Sequence, residues 1–85
     1  MYTTYVLASL KDGKHYIGLS RNPQKRLVEH NRRKVRSTRS RAPFLLVYHE
    51  GFSTLGEARE REKFFKTAAG RRYLDANLSD AQLHP

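Results

Sequence analysis

The side chains in this sequence whose types and spacing suit phosphate chemistry are two tyrosines, an arginine–histidine pair and one glutamate set among apolar neighbours. Arg26 and His30 are four residues apart, so on a helix they lie one above the other on the same side. Leu55, Ala58, Glu62, Phe65 and Ala69 follow steps of three and four, which places a carboxylate inside an otherwise apolar seam where it needs a partner. Hydrolysis of a phosphodiester gathers negative charge on the nonbridging and leaving oxygens. A guanidinium such as that of Arg26 and a divalent cation stabilise this charge more than they stabilise the ground state. A hard cation held by one carboxylate, such as that of Glu62, keeps waters and open positions for substrate oxygens. A phenol with a pKa near ~10 is a poor base at neutral pH unless cationic neighbours lower it, and Arg26 and His30 are the neighbours expected to do so for Tyr5.

Each of these groups also has an ordinary reading. Tyr5 and Tyr16 suit strands that pack against a helix with their hydroxyls at the rim. Arg26 suits a solvated helix face, and His30 a helix end where an imidazole meets the last carbonyls. Glu62 suits a salt bridge to Lys66 or to an arginine across the sheet.

The elements that must position these groups are legible from patterning. Thr3 to Ser9 and Lys14 to Ser20 are rich in strand formers and flank Lys11-Asp12-Gly13, whose Asp-Gly pair is a hairpin signal. With Asp12 and Gly13 at the centre of the turn, Lys11 faces Lys14 and Ser9 faces Tyr16, and Tyr5, Leu7, Tyr16 and Gly18 share one face; a slip of one residue would separate the tyrosines. Asn22-Pro23 is an N-cap followed by proline at the first helical position, opening a helix through about Arg32 with Leu27 toward the core. Phe44 to His49 is a continuous apolar run after Pro43, which predicts a third strand, central and well covered. Thr54 and Glu57 form a capping box, and the helix they open is expected to run to about Ala69, where Gly70 stops it. Short helical turns are expected at Arg71 to Leu74 and, with a weak Ser79–Gln82 capping box, at Ser79 to Leu83.

Seventeen Lys and Arg against eight Asp and Glu leave a formal charge of +9, which attracts polyanions at long range. Six of the ten residues from Arg32 to Arg41 are Lys or Arg, with no periodic apolar face, so the segment is expected to be a mobile basic loop. Its cations, Arg32, Arg33, Lys34, Arg36, Arg39 and Arg41, are candidate phosphate contacts, with Lys66 extending the surface; a solvated loop is the plainer alternative. The chain has no cysteine, which excludes a disulfide framework and a thiolate zinc site. No window approaches the ~20 apolar residues of a membrane span, and no secretory leader pattern opens the chain. A soluble, cytoplasmic protein is expected, nucleoid association being compatible with the charge, and 85 residues fit one domain.

Taken in order, these residues resemble the GIY-YIG nuclease superfamily, most of all its small single-domain bacterial members, over about Thr3 to Leu74, with 75–85 left as a C-terminal tail. Thr3-Thr4-Tyr5 stands where the family has Gly-Ile-Tyr and keeps only the tyrosine, whereas Tyr16-Ile17-Gly18 matches the second motif letter for letter. Arg26 and His30 stand at the spacing of the family's helical arginine and histidine, and Ala58, Glu62 and Lys66 resemble its metal-binding helix. The resemblance implies an α+β fold, a three-stranded antiparallel sheet flanked by helices. It implies that Tyr5 assists or deprotonates the attacking water, Tyr16 orients that water or a phosphate oxygen, Arg26 neutralises charge on the phosphate, His30 supports the tyrosine, and Glu62 holds Mg²⁺ or Mn²⁺. The expected function is a metal-dependent endonuclease acting on nucleic acid, DNA before RNA, structured or damaged substrates included, with a targeting protein as a further partner. The rivals are a nucleic-acid-binding module with weak or no turnover and a small basic ribosome-binding protein.

Overall fold

The structure, a computed structural model, describes residues 1–83, with side chains through Leu78. Strands β1 (Tyr2–Ser9), β2 (His15–Ser20) and β3 (Phe44–Phe52) form an antiparallel sheet in the order β2-β1-β3. Helix α1 (Pro23–Asn31) follows β2, and α2 (Leu55–Phe65) and α3 (Ala68–Leu83) follow β3. This is the expected α+β arrangement.

The central strand is β1, not β3. Residues 3–7 of β1 are all buried, while β3 alternates between partly covered and exposed positions and lies at an edge. The uniform apolarity of β3 has another cause. Val6 stands opposite Tyr48 and Leu7 opposite Leu46, so Val47 is an extra residue in the ladder. This bulge switches faces: Phe44 and Leu46 join Tyr5 and Leu7 on one side of the sheet, whereas Val47 and Tyr48 join Val6 on the other. An apolar run without alternation here feeds two faces in succession rather than both at once.

The hairpin register also differs from expectation, by two residues. Leu7 faces Tyr16 and Ala8 faces His15, so Leu10 to Gly13 form a four-residue loop closed by Ser9 N–H to Lys14 O at 2.9 Å and Gly13 N–H to Ser9 O at 2.9 Å. The Ser9 hydroxyl organises it, accepting from the amides of Lys11 and Asp12 at 3.1 and 3.2 Å and donating to Arg41 O at 2.6 Å. Because the slip is an even number of residues, Tyr5, Leu7, Tyr16 and Gly18 keep their shared face.

The two sheet faces are covered differently. Tyr5, Leu7, Ala42 and Phe44 form a core that Leu27 of α1 closes, as expected of Leu27. On the other face Val6 packs with Phe65, Leu74 and Leu78 of α2 and α3, and Thr4 Oγ1 donates to Ala58 O at 2.7 Å. Asn22 caps α1 by accepting from Lys25 N–H, and Thr54 caps α2 by accepting from Glu57 N–H, as their positions predict.

The long second helix is two helices. It ends at Phe65, and Thr67 opens α3 by accepting from Gly70 N–H at 3.0 Å. Gly70 is therefore not a stop: a Cβ there would lie 1.8 Å from Phe64 O, so the glycine permits the tight turn between α2 and α3. One continuous α3 replaces the two expected C-terminal turns; the side chains of the Ser79–Gln82 pair lie outside the described residues.

Candidate active site

Tyr5, on the central strand, is 1 % exposed and surrounded by residues from every element on its face. Its hydroxyl lies 3.2 Å from His30 Nε2, and the Arg26 guanidinium is near enough to act on its acidity. Gly18 stands opposite Tyr5 in the ladder, and a Cβ there would sit 2.4 Å from Tyr5 Cζ and Oη. The glycine of Tyr16-Ile17-Gly18 thus leaves the space in which the Tyr5 ring lies.

His30 is the one fully buried residue of α1. Tyr16 lies 4.9 Å from it between ring centroids and Phe44 5.8 Å. Its second nitrogen, Nδ1, is 2.7 Å from Thr38 Oγ1. One turn earlier, Arg26 is half-exposed and pairs with Glu29 at 2.6 Å, so its guanidinium faces both Tyr5 and solvent. The structure accordingly brings Tyr5, Tyr16, Arg26 and His30 together on one face.

Electrostatics at Tyr5 run against the expectation that cations make it acidic. Burial pushes the phenol above its ordinary value of 10.0 and outweighs the opposing effect of Arg26. Burial first, and then the Arg26 charge, hold His30 below its ordinary 6.5, while Tyr5 raises Arg26. At neutral pH the cluster is a protonated phenol beside a neutral imidazole and a guanidinium. Tyr5 is thus a protonated phenol with its hydroxyl against His30 rather than a standing phenolate.

Glu62 sits apart from this cluster. Helix α2 covers the opposite face of the sheet, and Glu62 lines a cleft of about 770 Å³ at the β2 edge together with Lys14, His15, Tyr16, Ile17, Phe65, Lys66, Arg71 and Asp75. Tyr16 is the residue common to both settings, since it touches His30 on one side and lines this cleft on the other. The expected partner of Glu62 is Lys66, at a long 3.5 Å. The ion pair that does tie α2 to the sheet belongs to its neighbour, Arg61 with Glu50 at 3.0 Å. Among the described residues no three His, Cys, Asp or Glu side chains gather around a common point. The Glu62 carboxylate, with Asp75 lining the same cleft, fits a hard cation that keeps most of its waters and takes phosphate oxygens as further ligands, the habit of Mg²⁺.

The basic segment is ordered, not a featureless loop. Lys34 N–H bonds to Glu29 O, Thr38 and Arg39 N–H bond to Val35 O, and Arg39–Arg41 form a single 3₁₀ turn. Arg32, Arg33, Lys34, Arg36 and Arg39 project into solvent, as phosphate contacts must. Arg41 does not: it pairs with Asp12 at 3.0 Å and lies over the Phe44 ring. Lys66 is exposed beside Glu62. Sequence reasoning missed Thr38, because no periodicity connects a loop threonine to a helix histidine eight residues earlier, and Glu29, although its i,i+3 spacing from Arg26 was a signal that could have found it. Asn31 is a structural tie, since its amide donates to Phe44 O at 3.1 Å and accepts from Phe44 N–H at 2.6 Å.

Comparison with known proteins gives these residues a family. The chain is 47 % identical over 64 residues to a UPF0213 protein of Bacillus pumilus, covering 74 % of this chain and 64 % of that one. It is 43 % identical over 75 residues to a UPF0213 protein of Bacillus licheniformis, covering 84 % and 76 %, and 36 % identical over 69 residues to one of Staphylococcus saprophyticus, covering 80 % and 84 %. No solved structure matches the chain, and among the described residues no helix is long and apolar enough to cross a membrane. The model of the GIY-YIG catalytic domain matches residues 1–74, a span that holds all five candidate catalytic residues, and the chain belongs to this nuclease-type family.

Proposed function

We propose that this chain is a metal-dependent endonuclease-type domain, acting as one unit, that hydrolyses phosphodiester bonds in DNA, structured or damaged DNA included. The observation that carries the reading is the convergence of Tyr5, Arg26 and His30: a phenol hydrogen-bonded to a neutral imidazole with a guanidinium beside it. Water held against Tyr5 Oη gives up its proton as the Tyr5 proton passes to His30 Nε2, so the high phenol pKa is not an obstacle. Arg26, open to solvent on its other side, neutralises charge appearing on a nonbridging oxygen. Tyr16 sits at the β2 edge between Arg26's face and the Glu62 cleft, and a phosphate straddling that edge meets both. Glu62 is the residue to hold Mg²⁺ or Mn²⁺, which when bound supplies positive charge toward the leaving oxygen. Arg32, Arg33, Lys34, Arg36, Arg39 and Lys66 hold the phosphate backbone. In this reading the partner is nucleic acid, DNA before RNA, with a targeting protein as a further partner and the cytoplasm as the setting.

The second reading, a nucleic-acid-binding module with little turnover, draws on one observation: Glu62 and Arg26 are carried by helices on opposite sheet faces. Incubation with labelled DNA and RNA of several shapes in Mg²⁺, Mn²⁺ or EDTA decides between them. Cleavage of DNA in metal alone is expected; binding without cleavage under every condition would leave the module reading in place.

A further inference from the structure

Protons in the buried cluster can be assigned by counting donors and acceptors. The Tyr5 hydroxyl has one side-chain hydrogen-bond partner among the described residues, His30, with the Arg26 guanidinium nearby. A guanidinium has no acceptor, so the Tyr5 proton has one place to go, His30 Nε2 at 3.2 Å. Were Nε2 protonated instead, no described side chain would accept the proton of a tyrosine that is 1 % exposed, and buried hydroxyls are usually paired. Nε2 is then bare, and the neutral ring carries its proton on Nδ1, where Thr38 Oγ1 accepts it at 2.7 Å. The Thr38 proton in turn has an acceptor in Val35 O at 3.4 Å. The chain therefore runs one way, from Tyr5 through His30 to Thr38 and Val35.

Thr38 has no exposure at all, yet it lies in the most cationic stretch of the sequence, between Arg36 and Arg39, which are exposed. A threonine in a basic loop ordinarily faces solvent; this one points inward onto the imidazole. We infer that Thr38 is a positioning residue, whose hydroxyl holds His30 in the Nδ1–H tautomer and so makes Nε2 the acceptor for the Tyr5 proton. This rests on the nuclease reading only for its effect on rate. When water loses a proton to Tyr5 and Tyr5 passes its own to Nε2, the resulting imidazolium keeps its Nδ1–H on Thr38 Oγ1, and the one proton lost by the water is the one His30 gains. The backbone segment that carries Arg36 and Arg39 to the substrate thus also sets the proton acceptor.

Nitrogen-15 NMR of the imidazoles at pH 8 tests this on the full chain. Wild type and Thr38→Ser are expected to show His30 with a protonated Nδ1 and a bare Nε2, whereas in Thr38→Val, where Nδ1–H loses its acceptor, the Nε2–H form is expected to be populated beside it. In cleavage assays Thr38→Val should lose about 10–100-fold in kcat, the usual cost of removing a partner that orients a functional histidine, with KM within about twofold, and Thr38→Ser should recover most of it. A protonated Nε2 in wild type overturns the inference without any variant, as does a Thr38→Val protein with wild-type tautomer and rate. Should Thr38→Val not fold, the wild-type and Thr38→Ser spectra still decide. A wild type that shows the expected tautomer but never cleaves refutes the nuclease reading and leaves the role of Thr38 standing.

Discussion

Replacing Gly18 by alanine tests the geometry of the cluster without replacing any of its polar groups. The added Cβ would fall 2.4 Å from both Tyr5 Cζ and Tyr5 Oη, where ordinary contact begins at 3.4 Å, so the phenol must shift by about 1 Å. It has little room to do so, because Tyr5 is 1 % exposed and packed with Leu7, Ala42 and Phe44. A displacement of that size turns a 3.2 Å contact with His30 Nε2 into either a gap near ~4 Å, too long for a hydrogen bond, or a clash. Misplacement of a reacting group by ~1 Å costs on the order of 10²-fold in rate, and overpacking a filled core costs about 1–3 kcal/mol. Gly51→Ala is the matched control on β3. Its Cβ would come still closer to another atom, 2.1 Å from Met1 Sδ, but Met1 is 79 % exposed and its flexible side chain can swing aside. Single-turnover cleavage at saturating protein, with thermal melts of each variant, is the assay. Gly18→Ala should remain folded at 20 °C with a rate lower by about two orders of magnitude, and Gly51→Ala should match wild type in both. Wild-type cleavage by Gly18→Ala would show that the position of Tyr5 does not matter to the reaction.

Arg26→Ala should stay folded, still bind DNA and lose ~10²–10³ in kcat, with poor rescue by Arg26→Lys because an ammonium lacks the guanidinium fork; turnover at the wild-type rate removes Arg26 from the site. Glu62→Gln breaks only a long, partly exposed pair with Lys66, a type worth about 0–1 kcal/mol, so its melting temperature should barely move while cleavage in Mg²⁺ disappears; an active Glu62→Gln ends its assignment to the metal. Arg36→Ala with Arg39→Ala should weaken binding to unrelated sequences alike and flatten the slope of log K against log salt by up to ~0.9 per lost duplex phosphate contact, and an unchanged slope assigns both to solvent. Burial holds His30 and His15 below the ordinary 6.5, so as pH falls the unfolded chain takes up these protons first. Stability should therefore be full above about pH 6.5 and fall below it, and a melting temperature flat from pH 7.5 to 5 contradicts the burial of these rings.

The sequence alone determined the parts of this protein that depend on near neighbours. Asn22-Pro23 and Thr54 with Glu57 start helices because a cap needs only a side chain and an amide a few residues away, and the four-residue step from Arg26 to His30 put both on one side of α1. The shared face of Tyr5 and Tyr16 was legible for the same reason, since strand alternation survives an even slip in register. What the tertiary structure decided is what distant groups impose. β1 is central because it pairs with β2 on one side and β3 on the other, and the Val47 bulge is visible only in that ladder. Gly70 reads as a helix stop until the Phe64 carbonyl is seen against it. Tyr5 was expected to be acidified by its cations, but desolvation grows with everything packed around the ring and outweighed them. Thr38 and His30 meet through a turn that no periodicity encodes, and the separation of Glu62 from Arg26 follows from α1 and α2 packing on opposite faces of the sheet, a choice made by the core each helix buries.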